Sequence, residues 1–366
     1  MKKKLAVLFG GISPEHEVSI ITAVQLMKSV DATKYDLMPI YIDKKGSWWT
    51  GAELTDIGWY KTQDLMSPTG TTSFSLNLNY GKNDIDAAIL CFHGQYGEGG
   101  NIQGALELAG IPYQGPSVTS AAICFDKIVL RQILTAEGIS QTDYTWFTKQ
   151  QWLDDKQQVL DKINKLAFPV FIKPANGGST IGIQRAKEAK NVADLVEVVL
   201  HFDDRVLVEA EVKECIEINV SVLGLEGNVQ TSVPEQPIKN DDFLSFADKY
   251  ERGGGKKNGM ASATRRIPAP ISSSLTTKVR AAAQQVFELL DCTGVIRIDF
   301  FVNPSTEEIF VIEPNTIPGS MSFYLWEATG VSYPELIDRM VEIAETVEQK
   351  KQEITTTFDS TIIEKS

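Results

Sequence analysis

A chain of 366 residues with 43% hydrophobic content is long enough for about two or three globular domains, each with an apolar core. Its formal net charge of -13 argues against a nucleic-acid or anionic-membrane surface, because phosphates must be met by clustered Lys and Arg, and points to small-molecule partners. No apolar run approaches the ~20 residues that cross a bilayer, and MKKKLAVLFGGISPEHE breaks into glycine and charge too early for a signal peptide, so a cytoplasmic protein is expected.

In chain order, KLAVLF at 4–9 predicts a buried strand turned by Gly10 and Gly11. Ser13 and Pro14 predict a helix start, the hydroxyl as N-cap and proline at the first helical position, with the helix running to about Val30. DLMPIYID, AAILCFHG and IPYQG predict further strands, with QGALELAG a short helix between the last two. This alternation is that of a mostly parallel α/β sheet, expected as a first domain over residues 1–118. DKIVLRQILTAE, Asp126 to about Glu137, predicts an amphipathic helix in a second domain over 119–205. There FPVFIKP and GIQRAK predict two strands joined by the glycine-rich ANGGST. From VLVEAEV onward the pattern is strand-rich, with helices at about 273–290 and 333–351, an α+β third domain over 206–350. Residues 351–366 are polar and predict a frayed tail. Cys91, Cys124, Cys215 and Cys292 have no metal-ligand spacing and read as reduced core residues.

The chemistry concentrates in GVIRIDFFV and EEIFVIEPN, which a short polar connection joins as an antiparallel hairpin. A register that sets Asp299 opposite Glu313 also sets Arg297 opposite Asn315, so all four share one face. Opposed carboxylates repel and call for a cation. Two carboxylates and a carboxamide oxygen form a hard ligand set suited to magnesium, with phosphate oxygens and water completing the shell. Val295, Phe301, Ile309 and Val311 share the phase of these residues, which argues against a merely wet face. Arg297 can hold a developing oxyanion or a transferring phosphoryl group, or simply neutralise Asp299; the two roles are compatible.

No GxxxxGK[ST] sequence occurs, so this is not a P-loop protein. Lys173 ends its strand before NGGSTIG, a loop whose backbone N–H groups can fold over phosphates, although a lysine there can equally snorkel to solvent. Lys127, in the first turn of its helix, reads by itself as a surface lysine. Glu209 and Glu211 alternate onto one side of a strand, ordinarily the solvent side, and Glu217 is a weak signal of the same kind.

The segments LFGGISPEHEVS, FHGQYGEGGNIQGALELAGIPYQG, DK, FPVFIKPANGGSTIG, VLVEAEV, ADKY, GVIRIDFFV and IEPNTIPGSMS, in this order over about residues 4–345, resemble the ATP-grasp ligases. They are most similar to the D-alanine:D-alanine ligase family. The resemblance implies three domains with ATP clasped between the second and third. It implies that Lys127, Lys173, Gly178 and Ser179 meet the phosphates, that Glu209 and the backbone near Val212 meet the adenine, and that Glu217 meets the ribose. Asp299, Glu313 and Asn315 would carry two magnesium ions, with manganese as an alternative. Glu15 would bind the ammonium of the first D-alanine near His93, in a hydrogen-bonded set with Ser179 and Tyr250. Read from the residues alone, Glu15 lies in a helix first turn, where the macrodipole favours a carboxylate, so it reads as a helix-capping residue.

The implied reaction forms D-alanyl phosphate and ADP, and a second D-alanine then displaces phosphate, giving D-alanyl-D-alanine for peptidoglycan precursors. Arg297 and the Gly319 N–H would hold the tetrahedral oxyanion, Lys249 the acceptor carboxylate, and Tyr324 and Leu325 would border the acceptor. The segment from about Asn240 to Gly259 suits a lid that keeps water from the acyl phosphate. The resemblance also implies a homodimer. Two departures stand out: Ala210 replaces a frequent basic residue at the adenine edge, and Tyr324 stands where the family commonly has serine. Tyrosine at position 250 accompanies amine acceptors in the family, so a dipeptide is expected. The competing readings are a ligase taking D-serine, D-lactate or another acceptor, and a non-catalytic nucleotide-binding protein of the same fold.

Overall fold

The computed structural model describes residues 2–238 and 265–357, together with 360 and 362. The opening apolar run becomes β1 (Lys3–Gly10), buried from Leu5 onward on both faces, as a central parallel strand requires. It is followed by β2 (Tyr35–Ile42), β3 (Trp48–Thr50), β4 (Thr72–Ser73), β5 (Ala87–Leu90) and β6 (Tyr113–Gln114). These form one sheet in the order β4-β3-β2-β1-β5-β6, parallel from β2 to β6 and antiparallel at the β3-β4 edge.

The first helix is shorter than its sequence suggests, His16–Met27. Ser13 Oγ accepts from the Glu15 N–H at 3.0 Å, and Glu15 occupies the N-cap position without a side-chain cap bond. Its carboxylate is engaged elsewhere, by Ser179.

A second sheet, order β7-β10-β8-β9, is antiparallel throughout: β7 (Tyr144–Thr148), β8 (Val170–Pro174), β9 (Gln184–Ala186) and β10 (Arg205–Ala210). Val170, Ile172, Val206 and Val208 bury one face against Trp152, Val196 and Val199. Before it runs the helix Lys127–Ala136, capped by Asp126, whose carboxylate accepts from the Ile128 and Val129 N–H groups at 3.0 and 3.1 Å.

The third sheet comprises β11 (Ile216–Leu225) and β12 (Asn228–Thr231) with two later strands, while β13 (Gln236–Pro237) and β14 (Arg265–Arg266) pair separately. The later strands are β15 (Gly294–Val302) and β16 (Ile309–Asn315), and the order is β12-β11-β15-β16. Helix Ser273–Leu289 packs Leu275, Val279, Ala283 and Val286 against Val220, Val222, Ile296 and Ile298. Helix Tyr333–Gln352 carries Leu336, Ile337, Met340 and Val341 into the core of the first sheet instead. Cys91, Cys124 and Cys292 are buried free thiols as expected, whereas Cys215 is only half-buried. Among the described residues no helix is long and apolar enough to cross a membrane.

Candidate active site

The β15-β16 hairpin forms in the expected register, Asp299 opposite Glu313 and Arg297 opposite Asn315. β11 adds Glu217, Asn219 and Ser221 opposite Phe301, Asp299 and Arg297, so a polar face spans three strands. The register then shifts by one residue: Phe300 pairs with Val311, and Ile312 is the extra residue of a bulge. Val311 and Ile309 therefore do not share the polar phase. They turn to the opposite side, where Val311 packs with Ile298, Phe300 and Val302. The apolar residues of the polar face include Val295 and Phe301 on β15, with Phe310 opposite Phe301 and Leu223 opposite Val295.

Arg297 grips Asp299 with a two-pronged fork, Nε to Oδ1 and Nη2 to Oδ2, each at 2.7 Å. Asn315 Nδ2 donates to Asp299 Oδ2 at 3.0 Å. Burial pushes the Asp299 carboxyl up to about 6 against the pull of Arg297, and Glu217 and Glu313 push the same way. Lys127 Nζ stands 3.9 Å from Glu313 Oε2 and donates to the Gly177 carbonyl at 2.5 Å, so it is not the surface lysine it resembles in isolation.

That carbonyl belongs to the loop between β8 and β9, which folds back onto the N-terminus of helix His16–Met27. Ser179 Oγ donates to Glu15 Oε1. A Cβ at position 178 would stand 2.7 Å from Glu15 Oε2, so glycine is what lets the backbone come this close. Ser179 and Thr180 adopt φ of 50° and 67°, in the left-handed region that non-glycine residues seldom occupy. Nearby, His93 Nε2 shares a 3.1 Å hydrogen bond with Thr22 Oγ1. Burial, helped by Arg297, brings His93 down to about 4, so the ring is neutral near pH 7.

Glu98 is a further carboxyl of this corner. Its Oε2 accepts from the Gly94 N–H at 2.8 Å, and burial, then Glu15, push it up to about 8. An unfolded glutamate titrates near 4.5, so between that pH and about 8 the folded state binds the extra proton and stability falls as pH rises. Glu98→Gln is expected to match the wild type near pH 5 and exceed it near pH 8 in urea unfolding. No gain at the higher pH would reject a protonated Glu98.

The adenine-side candidate Glu209 is 2% exposed, not solvent-facing as strand alternation suggests. Arg131 Nε donates to its Oε1 at 2.5 Å and Lys173 Nζ donates to its Oε2. Burial alone would raise this carboxyl, yet Arg131 and Lys173 hold it down at about 2. Lys173 accordingly points inward and does not snorkel. Val212 follows β10 and is half-buried.

At the other end, Gly319 opens the turn Gly319–Ser322, which Ser320 ties to the first helix through Thr22 and Gln25. Leu325 is fully buried in helix Phe323–Thr329. Tyr324 donates from its phenol to Glu235 Oε1 at 3.0 Å, and the Arg265 guanidinium lies 4.0 Å from its ring centroid while also pairing with Glu235. Burial, then Glu235, push the Tyr324 phenol up to about 12. Lys249, Tyr250 and the expected lid at 240–259 lie outside the described residues.

Among the described residues no three His, Cys, Asp or Glu side chains converge on one point. The oxygen set is thus two carboxylates and the Asn315 carboxamide. A buried carboxyl raised in pKa beside a second carboxylate fits a divalent cation that draws its remaining ligands from phosphate and water.

Two family models match the chain: D-ala D-ala ligase N-terminus over residues 4–116 and D-ala D-ala ligase C-terminus over 133–342. The chain belongs to the D-alanine:D-alanine ligase family. The D-alanine--D-alanine ligase of Clostridium acetobutylicum is 38% identical, the match covering 94% of this chain and 98% of that protein. The VanG D-Ala:D-Ser ligase of Enterococcus faecalis superposes with a TM-score of 0.80 at 27% identity, over 94% of this chain and 100% of the other. The D-alanine--D-alanine ligase of Bacillus anthracis complexed with ATP gives 0.70 at 26%, over 95% and 99%. The architecture is therefore that of the ATP-grasp ligases. Of the residues around this site, Arg131, Glu235 and Arg265 lie in no motif that marks them in the sequence, and Glu98 lies in GQYGEGG without being singled out there.

Proposed function

We propose that this chain is an ATP-dependent ligase that joins two D-alanine molecules into D-alanyl-D-alanine. The observation that carries this is one continuous polar surface: the Arg297, Asp299, Glu313 and Asn315 face meets, through Lys127, the glycine loop whose Ser179 rests on Glu15. Glu15 takes the ammonium of the first D-alanine, with neutral His93 beside it as a polar contact. The carboxylate of that D-alanine attacks the γ-phosphorus of ATP, forming an acyl phosphate and releasing ADP, with Lys127, Lys173 and the N–H groups near Gly178 and Ser179 orienting the phosphates. Glu209 and Val212 border the adenine and Glu217 the ribose. The amine of the second D-alanine then adds to the acyl carbon, and phosphate leaves as the tetrahedral centre collapses. Arg297 and the Gly319 N–H hold the oxygen that becomes negative in that step. Asp299, Glu313 and Asn315 would hold the magnesium, two ions by family expectation or manganese in its place, which neutralises phosphate charge.

The division into domains at 1–118, 119–205 and 206–350, a cytoplasmic homodimer, and roles for Lys249 at the acceptor carboxylate and Tyr250 beside Ser179 belong to the same proposal. A second reading, D-serine as acceptor, draws support from Tyr324: its phenol is committed to Glu235, and it replaces a serine at the acceptor border. Both readings are tested by ADP release with D-alanine alone and with D-serine, D-lactate and other acceptors, the products identified by mass. D-Alanyl-D-alanine is the expected product from D-alanine alone. A mixed product with none from D-alanine alone would establish the second reading, and no product with any acceptor would leave a nucleotide-binding protein.

A further inference from the structure

Arg131 lies inside helix Lys127–Ala136 and is 3% exposed. Its guanidinium serves two strands at once. Nε donates to Glu209 Oε1 on β10 at 2.5 Å, while Nη1 and Nη2 donate to the Val311 and Ile312 carbonyls on β16 at 3.2 and 2.8 Å. Those carbonyls belong to the bulged residue and the one before it, and the next residue along the strand is Glu313. The Val311 N–H donates to the Ser140 carbonyl at 3.0 Å, so both polar groups of Val311 are held from outside the β15-β16 ladder.

We propose that Arg131 is a positioning residue that ties the nucleotide grip to the metal carboxylates. It holds the bulge that sets Glu313 opposite Asp299, and it keeps Glu209 paired when Lys173 turns to phosphate. The inference rests on the ligase reading above. Its first half follows from the backbone. A bulge leaves a residue outside the regular ladder, and buried carbonyls need donors, which a planar guanidinium supplies to two neighbouring residues at once. Its second half follows from charge. Glu209 is buried with two cations on it. A buried carboxylate that loses its only cation is strongly destabilised, so a lone lysine would be locked to it. With Arg131 in place Glu209 stays paired, and Lys173 is free to move. Lysine at position 131 could supply the charge but not three bonds of fixed geometry.

The test compares wild type, Arg131→Lys and Arg131→Met by calorimetric titration with ADP, with and without magnesium and without D-alanine, alongside the magnesium half-saturation of ADP release and the Tm. Arg131→Lys keeps charge beside Glu209 and is expected to hold ADP affinity within about threefold while magnesium half-saturation rises roughly tenfold. Arg131→Met is expected to weaken both by about tenfold or more. A purely structural role would lower Tm and leave both constants in place; constants within about twofold of wild type in a folded variant overturn the inference. If Arg131→Met does not fold, Arg131→Lys decides alone. A wild type that binds no ADP overturns the ligase reading and this inference with it, whereas a binding wild type with unmoved variants overturns only the inference.

Discussion

Asp299→Asn is expected to lower magnesium-dependent turnover by about a thousandfold or more while the protein stays folded. The two halves of this expectation have separate causes. Asp299 is 6% exposed, and burial holds its carboxyl at about 6 despite the Arg297 fork. The fold therefore gains little from its negative charge, and the single oxygen of an isosteric amide can still accept one of the two Arg297 bonds. Cation binding has no such tolerance, because an amide contributes one neutral oxygen where a carboxylate contributes charge. Glu313→Gln should behave alike, since its side chain is 37% exposed and glutamine keeps its shape. The measurement is ADP release across a magnesium titration, with circular dichroism as the control for folding. Retained activity in both variants would reject the metal assignment.

Arg297 should give the second large effect, of a different kind. Arg297→Met removes the partner of a buried carboxylate, which typically costs about 3–5 kcal/mol in stability, and it also removes the group proposed to hold the oxyanion. Arg297→Lys is the more informative variant: it keeps a positive charge but gives up the two 2.7 Å bonds that aim the fork. Because the oxyanion forms only in the second step, acyl phosphate should still form and then be lost to water. Arg297→Lys is expected to release ADP in excess of dipeptide, with dipeptide formation down by about a hundredfold or more. Equal amounts of ADP and dipeptide at near wild-type rate would remove Arg297 from that role.

The sequence made the hairpin register readable because period-two alternation carries its own check: one pairing aligns two polar couples at once. The bulge that follows is invisible to such a pattern. Its donor, Arg131, is 181 residues from Ile312, and no local rule connects them. Glu209 misleads for the same reason. Alternation sends it to solvent, but the helix carrying Arg131 and the neighbouring strand carrying Lys173 close over it. Glu98 sits among glycines in GQYGEGG, where a carboxylate looks exposed; its burial becomes evident only in three dimensions. At Glu15 the residues alone suggest helix capping, and the structure shows the carboxylate held by a loop from the second sheet.

That loop has a thermodynamic consequence. It touches the proposed amino-acid seat through Ser179 and, through the Gly177 carbonyl, the lysine proposed to meet phosphate, so filling either seat would restrain the other. Linkage then demands reciprocity: whatever factor ATP contributes to the affinity for the first D-alanine, D-alanine returns to ATP. Removing the Ser179 hydroxyl would reduce both affinities when the two ligands are present together, by the same factor, and would leave less change in either ligand's binding alone.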